Sequence, residues 1–341
     1  MNRKENAQLD SLRALPRLLL PWYEKSKRDL PWRRTSDPYE ILVSEIMLQQ
    51  TRVEAVIPYY RRFLALFPNP AALAAADDDT LLKAWEGLGY YSRARNLKKA
   101  AASIAENGFP TTEDDLKKLP GVGAYTAGAI GSIAFNLPTP AVDGNLLRIF
   151  ARLTASTEPI GPKLFSRCYE AIAGIYPPDA SSFTQSFMDL GALVCTPKNP
   201  KCALCPLSSI CAAHKNGTAS RLPVRKEKKP RPEEKRTVFV LRQGKTIAVE
   251  KRPEQGLLRG MWALPNTEGW LNEDEAAAYL SRMGVHFTGT VTVRHEKHIF
   301  THLTWLLRVY DGEADGIEAF TVKNEDEVAL PTAFRICLGE R

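Results

Sequence analysis

Hydrophobic residues recur at helical spacing from Leu9 to about Ala213, and proline and glycine separate the successive segments. One example is the stretch Leu97–Ala105, which Asn107 and Gly108 close. The pattern predicts that this part of the chain is all helical. From residue 238 onward short β-branched runs replace it, so the sequence predicts a second, smaller domain of mixed α and β structure.

The second domain should contain several short strands and one helix. The strands are predicted at Val238–Leu241, Thr246–Val249, Thr288–Val293 and His302–Val309. Gln243 and Gly244 form the turn between the first two strands. The helix should extend over Glu273–Met283, because Asn272 is a favourable N-cap, acidic residues follow it and Gly284 ends it.

A basic segment, Arg221–Arg236, separates the two patterns. It carries eight basic residues, three acidic residues and three prolines, and it has few side chains to bury. The sequence therefore predicts a helical domain over residues 1–220, a linker over 221–236 and a C-terminal domain over 237–341. Such a linker fits either contact with a polyanion or a solvated tether.

Charge and length narrow the classes of protein. The chain has 341 residues, a net charge of +7 and a pI near 9.0, which favours a polyanionic partner, nucleic acid first. The N-terminal segment lacks the apolar run of a signal peptide, and no window approaches eighteen uninterrupted apolar residues. We expect a soluble intracellular protein without a membrane partner.

Four cysteines crowd into seventeen residues with the spacing Cys-x6-Cys-x2-Cys-x5-Cys. They are Cys195, Cys202, Cys205 and Cys211. Four thiolates on so short a stretch can surround one metal centre, since three prolines bend the chain around it. The wide first gap favours an iron–sulfur cluster, because zinc sites usually arrange their cysteines as two short pairs. Zinc is the alternative. Disulfides are disfavoured in a chain without a signal peptide.

A helix, a tight turn and a second helix are predicted over Leu116–Ala127. Gly121 and Gly123 leave backbone N–H groups accessible at the start of the second helix, where phosphate can bind. An ordinary helical hairpin turn is the alternative interpretation. Taken with the cysteine cluster, the turn favours contact with a DNA strand.

Two carboxyl groups are candidates for chemistry. Asp143 precedes a helical segment as its N-cap, where backbone donors should keep it ionised, although most N-cap aspartates are structural. Glu45 lies among apolar residues of a predicted helix, where burial would raise its pKa. Alternatively, Glu45 shares a solvated helix face with Gln49 and Arg52.

A series of ordered motifs resembles those of the helix-hairpin-helix, iron–sulfur DNA glycosylases, over nearly the whole chain. Besides the hairpin and the four cysteines, the matching segments are Leu30–Arg33, Ser44–Thr51, Gly87–Asn96, Val142–Asn145 and Met188–Ala192. The resemblance implies a mostly α-helical glycosylase domain with a 4Fe-4S loop. It also implies a smaller α+β, Nudix-like C-terminal domain.

The resemblance is strongest to the branch that removes adenine mispaired with 8-oxoguanine or guanine. It implies that a monomeric enzyme binds double-stranded DNA and flips the adenine into a pocket. Glu45 would then protonate the departing base, and Asp143 would stabilise an oxocarbenium-like sugar electrostatically or covalently. Tyr125 and Asn145 would orient these acids. Because related strand-cleaving enzymes have a lysine at the position of Tyr125, the resemblance implies a monofunctional glycosylase.

Other residues match lesion-binding positions of the family. Those in the helical domain are Arg33, Gln50, Thr51, Leu88, Tyr90, Gly121, Gly123 and Gln185, the last of which replaces a glutamate of some members. In the C-terminal domain, Phe300, Thr301 and His302 match a Phe-Ser-His loop that reads 8-oxoguanine, with Thr301 in place of serine. The alternative for this loop is a strand end with a structural histidine.

Three other functions compete with this interpretation. They are a mismatch uracil or thymine glycosylase, a non-catalytic metal-stabilised DNA-binding protein, and a nucleotide diphosphatase. The last is disfavoured because no acidic Arg-Glu-x-x-Glu-Glu run follows Gly256. We expect a cytoplasmic location, with the nucleoid if the cell is bacterial.

Overall fold

A computed structural model describes residues 11–225 and 230–339 of the chain. The described residues form two compact units. The first comprises residues 11–75 and 95–225, and the second comprises residues 76–94 and 230–339. Among the described residues, no helix is both long and apolar enough to cross a membrane.

Helices account for all the regular structure of residues 11–225, as the sequence pattern predicted. In chain order the α-helices are α1 (Leu15–Ser26), α2 (Pro38–Leu48), α3 (Val53–Leu66), α4 (Pro70–Ala75), α5 (Asp78–Trp85), α6 (Ser92–Asn107), α7 (Glu113–Leu116), α8 (Ala124–Phe135), α9 (Gly144–Leu153), α10 (Pro162–Ala173), α11 (Ala180–Asp189), α12 (Ala212–Lys215), α13 (Glu273–Ser281) and α14 (Thr332–Arg335). A π-helical turn, Leu190–Val194, follows α11.

Two local features position the helices that matter for function. Helix α2 begins where Asp37 accepts hydrogen bonds from Tyr39 N (2.8 Å) and Glu40 N (3.2 Å). Helix α8 is rich in small residues, and a Cβ atom on Gly128 would lie 2.3 Å from the Pro140 carbonyl oxygen. Glycine therefore lets the segment that leads to Asp143 pass directly against α8.

The C-terminal unit is built on one mixed sheet. Its strands are β1 (Glu233–Gln243), β2 (Thr246–Lys251), β3 (Trp262–Ala263), β4 (Asn266–Glu268), β5 (His286–Phe287), β6 (Thr292–Ile299), β7 (Thr304–Asp315) and β8 (Thr321–Asn324). The sheet order is β3-β2-β1-β7-β5, with β4 on β1, β6 on β7 and β8 on β2. Strands β1 and β7 are parallel. Hydrophobic clusters cover both faces of the sheet, and α13 packs on one of them.

The predicted elements of this unit are largely present, with shifted ends. Helix α13 begins with Asn272 in a capping box with Glu275, and it ends at Ser281, two residues before the predicted end. The strand predicted at Thr288–Val293 is displaced, because β6 begins only at Thr292. Strand β7 begins at Thr304 rather than His302, since residues 300–303 form the turn that joins it to β6.

The predicted linker is shorter in the structure at both ends. Leu222 is buried, and Val224 accepts a backbone hydrogen bond from Ile160 (3.0 Å). At the other end, residues 233–236 already belong to β1, where backbone pairing with β7 outweighs their charged composition. Residues 226–229 of the predicted linker lie outside the described residues.

One helical segment belongs to a different unit from the one its position in the sequence suggests. Residues 76–94 fall within the helical domain predicted over 1–220, but they pack with the C-terminal unit. Asp79 accepts hydrogen bonds from Trp262 Nε1 and Lys323 Nζ (both 3.2 Å), and Glu86 accepts from Arg335 Nε (2.8 Å). Pairings over such sequence distances leave no local signal in the chain.

Candidate active site

A cavity of about 230 Å³ lies in the helical unit among α2, α8, α9 and α11. The predicted site residues that line it are Arg33, Glu45, Thr51, Tyr125, Asp143, Asn145 and Gln185. They come from widely separated segments of the sequence. The structure thus brings both candidate carboxyl groups to one cavity.

Glu45 is buried, with 3% of its surface exposed, on a helix whose residues 41–47 are all buried. This burial excludes the alternative in which it lies on a solvated face. Burial raises the pKa of Glu45 from 4.5 to about 7. The hydrogen bond from Tyr125 and the charge of Arg33 act to lower this pKa, and the charge of Asp143 adds to the rise. Glu45 can therefore carry a proton near neutral pH.

Tyr125 is the direct partner of Glu45. Its hydroxyl donates to Glu45 Oε2 at 2.8 Å from the first turn of α8. Burial and the charges of Glu45 and Asp143 hold the pKa of Tyr125 well above its usual value. The phenol thus remains a donor, and it fixes one oxygen of the carboxyl group.

Asp143 is the N-cap of α9, as the sequence predicted. Its Oδ1 accepts from Asn145 N (2.9 Å) and Leu146 N (2.8 Å), and its Oδ2 accepts from Asn145 Nδ2 (2.7 Å). Burial nevertheless raises the pKa of Asp143 above its usual value, although these donors and the charge of Arg148 oppose the rise. The N-cap position of Asp143 predicted these donors, whereas the burial that opposes them arises only from tertiary packing.

Arg148 connects this end of α9 to the cysteine loop. Its Nη2 donates to Asn145 Oδ1 and to the Gly191 carbonyl (both 2.9 Å), and its Nε donates to the Cys195 carbonyl (2.8 Å). A Cβ atom on Gly191 would lie 2.8 Å from the Asn145 Cβ. The side chain of Asn145 is therefore held on two sides.

A buried ion-pair cluster lies beside the cavity, and two of its members, Arg28 and Asp189, were not among the predicted site residues. Asp189 accepts from Arg28 Nε and Arg33 Nη2 (both 2.7 Å) and also from Arg33 Nη1. Burial alone would raise the pKa of Asp189, but the bonds and charges of Arg33 and Arg28 hold it below its usual value. Arg28 and Arg33 both line the cavity, so Asp189 fixes the cations in its wall.

The four cysteines of the predicted cluster line a second cavity together. Arg152 Nη1 donates to Cys195 Sγ (3.2 Å) and to the Thr196 carbonyl (2.8 Å), and Nη2 donates to the Pro197 carbonyl (2.9 Å). Within the described residues, no three His, Cys, Asp or Glu side chains form a site for a single metal ion. Four thiols around one cavity suit a multinuclear cluster rather than a single metal ion.

Predicted DNA-contacting residues occupy strained or tightly packed backbone. Gln50 (φ 61°) and Tyr90 (φ 47°) are both left-handed, which costs of order 1–3 kcal/mol for residues other than glycine. Gly121 is also left-handed (φ 80°), and a Cβ atom there would lie 2.8 Å from the Asn96 Cβ. A Cβ atom on Gly123 would meet nothing within 4 Å, so this turn is open to a ligand.

The remaining predicted residues lie in the C-terminal unit. Leu88 is buried, whereas Tyr90 is exposed and its hydroxyl lies 2.6 Å from the Thr301 hydroxyl. Thr301 and His302 form the exposed tip of the β6–β7 turn, which a Phe300 N to Leu303 O hydrogen bond (2.9 Å) closes. The structure thus joins two residues that the sequence placed in separate motifs.

Three family models match this chain. Residues 43–172 match the base-excision DNA repair proteins of the helix-hairpin-helix superfamily. Residues 195–211 match the iron–sulfur binding domain of endonuclease III, and residues 237–340 match the Nudix domain. The fold resembles a thermostable thymine-DNA glycosylase (26% identity, TM-score 0.55, covering 63% of this chain and 98% of that one). It also resembles endonuclease III trapped on DNA (25% identity, TM-score 0.52, covering 64% and 99%). The chain is a helix-hairpin-helix DNA glycosylase that binds DNA and carries a 4Fe-4S cluster.

Curated relatives narrow the class further. The chain is 35% identical over 337 residues to the adenine DNA glycosylase of Buchnera aphidicola from Schizaphis graminum, covering 92% of this chain and 94% of that protein. It is 32% identical to the human adenine DNA glycosylase, covering 87% and 66%. The chain belongs to the adenine DNA glycosylase family and acts in base excision repair.

Proposed function

We propose that the enzyme excises adenine paired with 8-oxoguanine or guanine and leaves an abasic site without cutting the strand. The observation that carries this proposal is the protonatable Glu45 beside Asp143 in one cavity of about 230 Å³. A general acid works best when its pKa lies near the working pH, and Glu45 meets that condition.

The chemistry follows from the two carboxyl groups. Adenine flipped out of the duplex enters the cavity, and Glu45 gives its proton to a ring nitrogen. The N-glycosidic bond then breaks, and its electron pair leaves with the base. The carboxylate of Asp143, held by three N–H donors, stabilises the oxocarbenium-like sugar through space or by transient attachment. Water completes the hydrolysis at the sugar carbon.

The absence of strand cleavage is supported by the lack of an available amine. In the described part of the chain no lysine lines the cavity, and Tyr125 occupies the position of the family's Schiff-base lysine. Lys117 and Lys118 of the preceding turn pair with Glu113 and Asp115 (both 2.7 Å). The enzyme should therefore not be trapped on its product DNA by borohydride.

Recognition of the oxidised guanine is assigned to the turn at Phe300, Thr301 and His302, together with Gln50 and Tyr90. The hydrogen bond between the Tyr90 and Thr301 hydroxyls supports this assignment, because it places an aromatic ring and a polar tip side by side. Threonine in place of serine keeps the hydroxyl at this position.

A substrate panel tests the proposal. Purified protein is incubated with labelled duplexes that contain adenine opposite 8-oxoguanine, adenine opposite guanine, uracil opposite guanine, or thymine glycol, and then treated with alkali. We expect cleavage of the adenine strand of the first two duplexes alone. Glu45→Gln should bind these duplexes without cutting them, whereas Glu40→Gln on the same helix, which does not line the cavity, should retain activity. Excision of uracil or thymine glycol instead of adenine would refute the assignment.

We also propose that the enzyme acts as a monomer in the cytoplasm, on the nucleoid if the cell is bacterial. One cavity within the helical unit holds all the catalytic groups named above, so a second subunit is not required for the site. Light scattering of the protein, alone and with one equivalent of duplex, tests the monomer. Co-sedimentation of the protein with chromosomal DNA in cell lysates tests its location.

A further inference from the structure

One face of the C-terminal sheet carries three cations and a histidine in regular register. Lys235 of β1 and Lys297 of β6 flank Leu306 of the central strand β7 in one row. Arg308 of β7 and His295 of β6 pair in the next row. Because side chains two residues apart point to the same side of a sheet, these four basic residues share one face.

Trp270 lies at the centre of this group. Lys235 Nζ is 4.8 Å and the Arg308 guanidinium 5.0 Å from its ring, and the His295 ring meets it edge-on at 5.4 Å. Trp270 Nε1 donates to the Leu306 carbonyl (3.1 Å), which fixes the indole on the sheet. Lys235 and Arg308 are therefore both held beside the ring. We call Trp270 with Lys235, His295, Lys297 and Arg308 the Trp270 face.

The Trp270 face keeps a positive charge. Its one acidic contact among the described residues is Glu233, which lies 3.5 Å from Lys297, and both side chains are about half exposed. Exposed pairs of this kind contribute little and yield readily to another anion. Lys235 and Arg308 have no acidic partner in the described structure, since their side chains contact Trp270, His295 and the Leu271 carbonyl.

The Trp270 face continues directly into the β6–β7 turn. The last pair of that hairpin is Ile299 with Thr304, and the row of Lys235 and Lys297 lies two residues further along, about 7 Å away. A further cation adjoins the turn itself, because Arg231 Nε donates to the Thr301 carbonyl (3.1 Å). Positive groups thus extend from the turn along one side of the sheet.

We propose that the Trp270 face binds backbone phosphates of the duplex next to the oxidised guanine. The proposal rests on the proposed function, in which the turn meets that base. A duplex held at the turn must pass its phosphates over a neighbouring surface, and exposed lysines at fixed spacing suit this contact. The contact would be independent of sequence, since phosphates position a protein and bases specify the site.

The test compares two double variants in the full-length protein. Lys235→Gln with Lys297→Gln removes two cations from the Trp270 face. The control, Lys245→Gln with Arg282→Gln, removes two exposed cations elsewhere on the C-terminal unit. Equilibrium binding is measured against salt for an undamaged duplex and for one with adenine opposite 8-oxoguanine.

We expect the first variant to lose affinity for both duplexes by a similar factor, about tenfold, and its log–log salt slope to fall by about 2. Lys297→Gln alone, which touches no part of Trp270, should lower the slope by about 1, and Lys235→Arg should retain wild-type binding. A slope equal to that of the control variant overturns the proposal. Because the undamaged duplex reports binding without excision, failure of the wild type to release adenine would count against the proposed function alone.

Discussion

Replacing Tyr125 by phenylalanine should extend activity to higher pH. The hydroxyl donates to Glu45 Oε2 at 2.8 Å, and this bond favours the charged carboxylate. It is one of the two influences that lower the pKa of Glu45, which burial raises to about 7. Without it, the proton on Glu45 is held more tightly.

The size of the shift follows from the strength of the bond. A hydrogen bond to a charged group contributes about 1.5–3 kcal/mol, and part of it survives when the carboxyl is neutral. If the bond is stronger to the charged carboxylate than to the neutral carboxyl by about 1.4 kcal/mol, its loss raises the pKa of Glu45 by about one unit. The sign is fixed, because the proton donor is the acid form: excision proceeds below the pKa and fails above it. At one pH unit above the wild-type pKa, about a tenth of the wild-type enzyme has a protonated Glu45. In the variant about half of the enzyme does.

Single-turnover excision with enzyme in excess measures this effect across the pH range from about 5.5 to about 9. Each profile is scaled to its own low-pH plateau, because losing the Tyr125 hydroxyl also loosens Glu45. Tyr39→Phe is the matched control: its hydroxyl donates to the Phe67 carbonyl (2.8 Å) from the same helix as Glu45. If the alkaline limb of Tyr125→Phe stays in place or moves to lower pH, Glu45 is not the proton donor that limits the rate.

Further predictions concern stability and the cluster. Burial raises the pKa of Glu45 from 4.5 to about 7, so the folded protein loses stability as pH rises through this window. Glu45→Gln should therefore raise the free energy of unfolding by up to about 3 kcal/mol at pH 8 and by little near pH 4.5. Urea unfolding at the two pH values measures this difference. Gly128→Ala should destabilise by about 1–3 kcal/mol, since its Cβ atom would meet the Pro140 carbonyl, and an unchanged melting temperature would contradict the close approach. Gly123→Ala, where the new atom meets no neighbour, should leave melting almost unchanged but weaken DNA binding by about fivefold in a titration. Cys202→Ser should reduce the visible absorbance of the purified protein and lower its melting temperature, and retention of both would exclude it as a ligand.

Local pattern predicted much of the candidate site. Asp143 was predicted as an N-cap from its position before a helical segment, and it caps α9. The apolar surroundings of Glu45 suggested burial, and Glu45 is buried. Periodicity alone left a solvated face open, because only packing against α8 decides which side of α2 is covered. The ion-pair cluster at Asp189 was missed because its partners lie more than 150 residues away.

Short-range features of the sequence determined the helical and mixed domains, the cysteine cluster and the family, since helix periodicity, capping residues and motif spacing are all written within a few turns of the chain. Only the tertiary structure decided that the pKa values of Glu45 and Asp143 are raised, because a pKa depends on the burial and charges that distant segments supply. It also decided that residues 76–94 join the C-terminal unit and that Lys297 and Lys235 lie in one row on either side of β7. Such pairings arise from packing energies between remote segments, which no local pattern records.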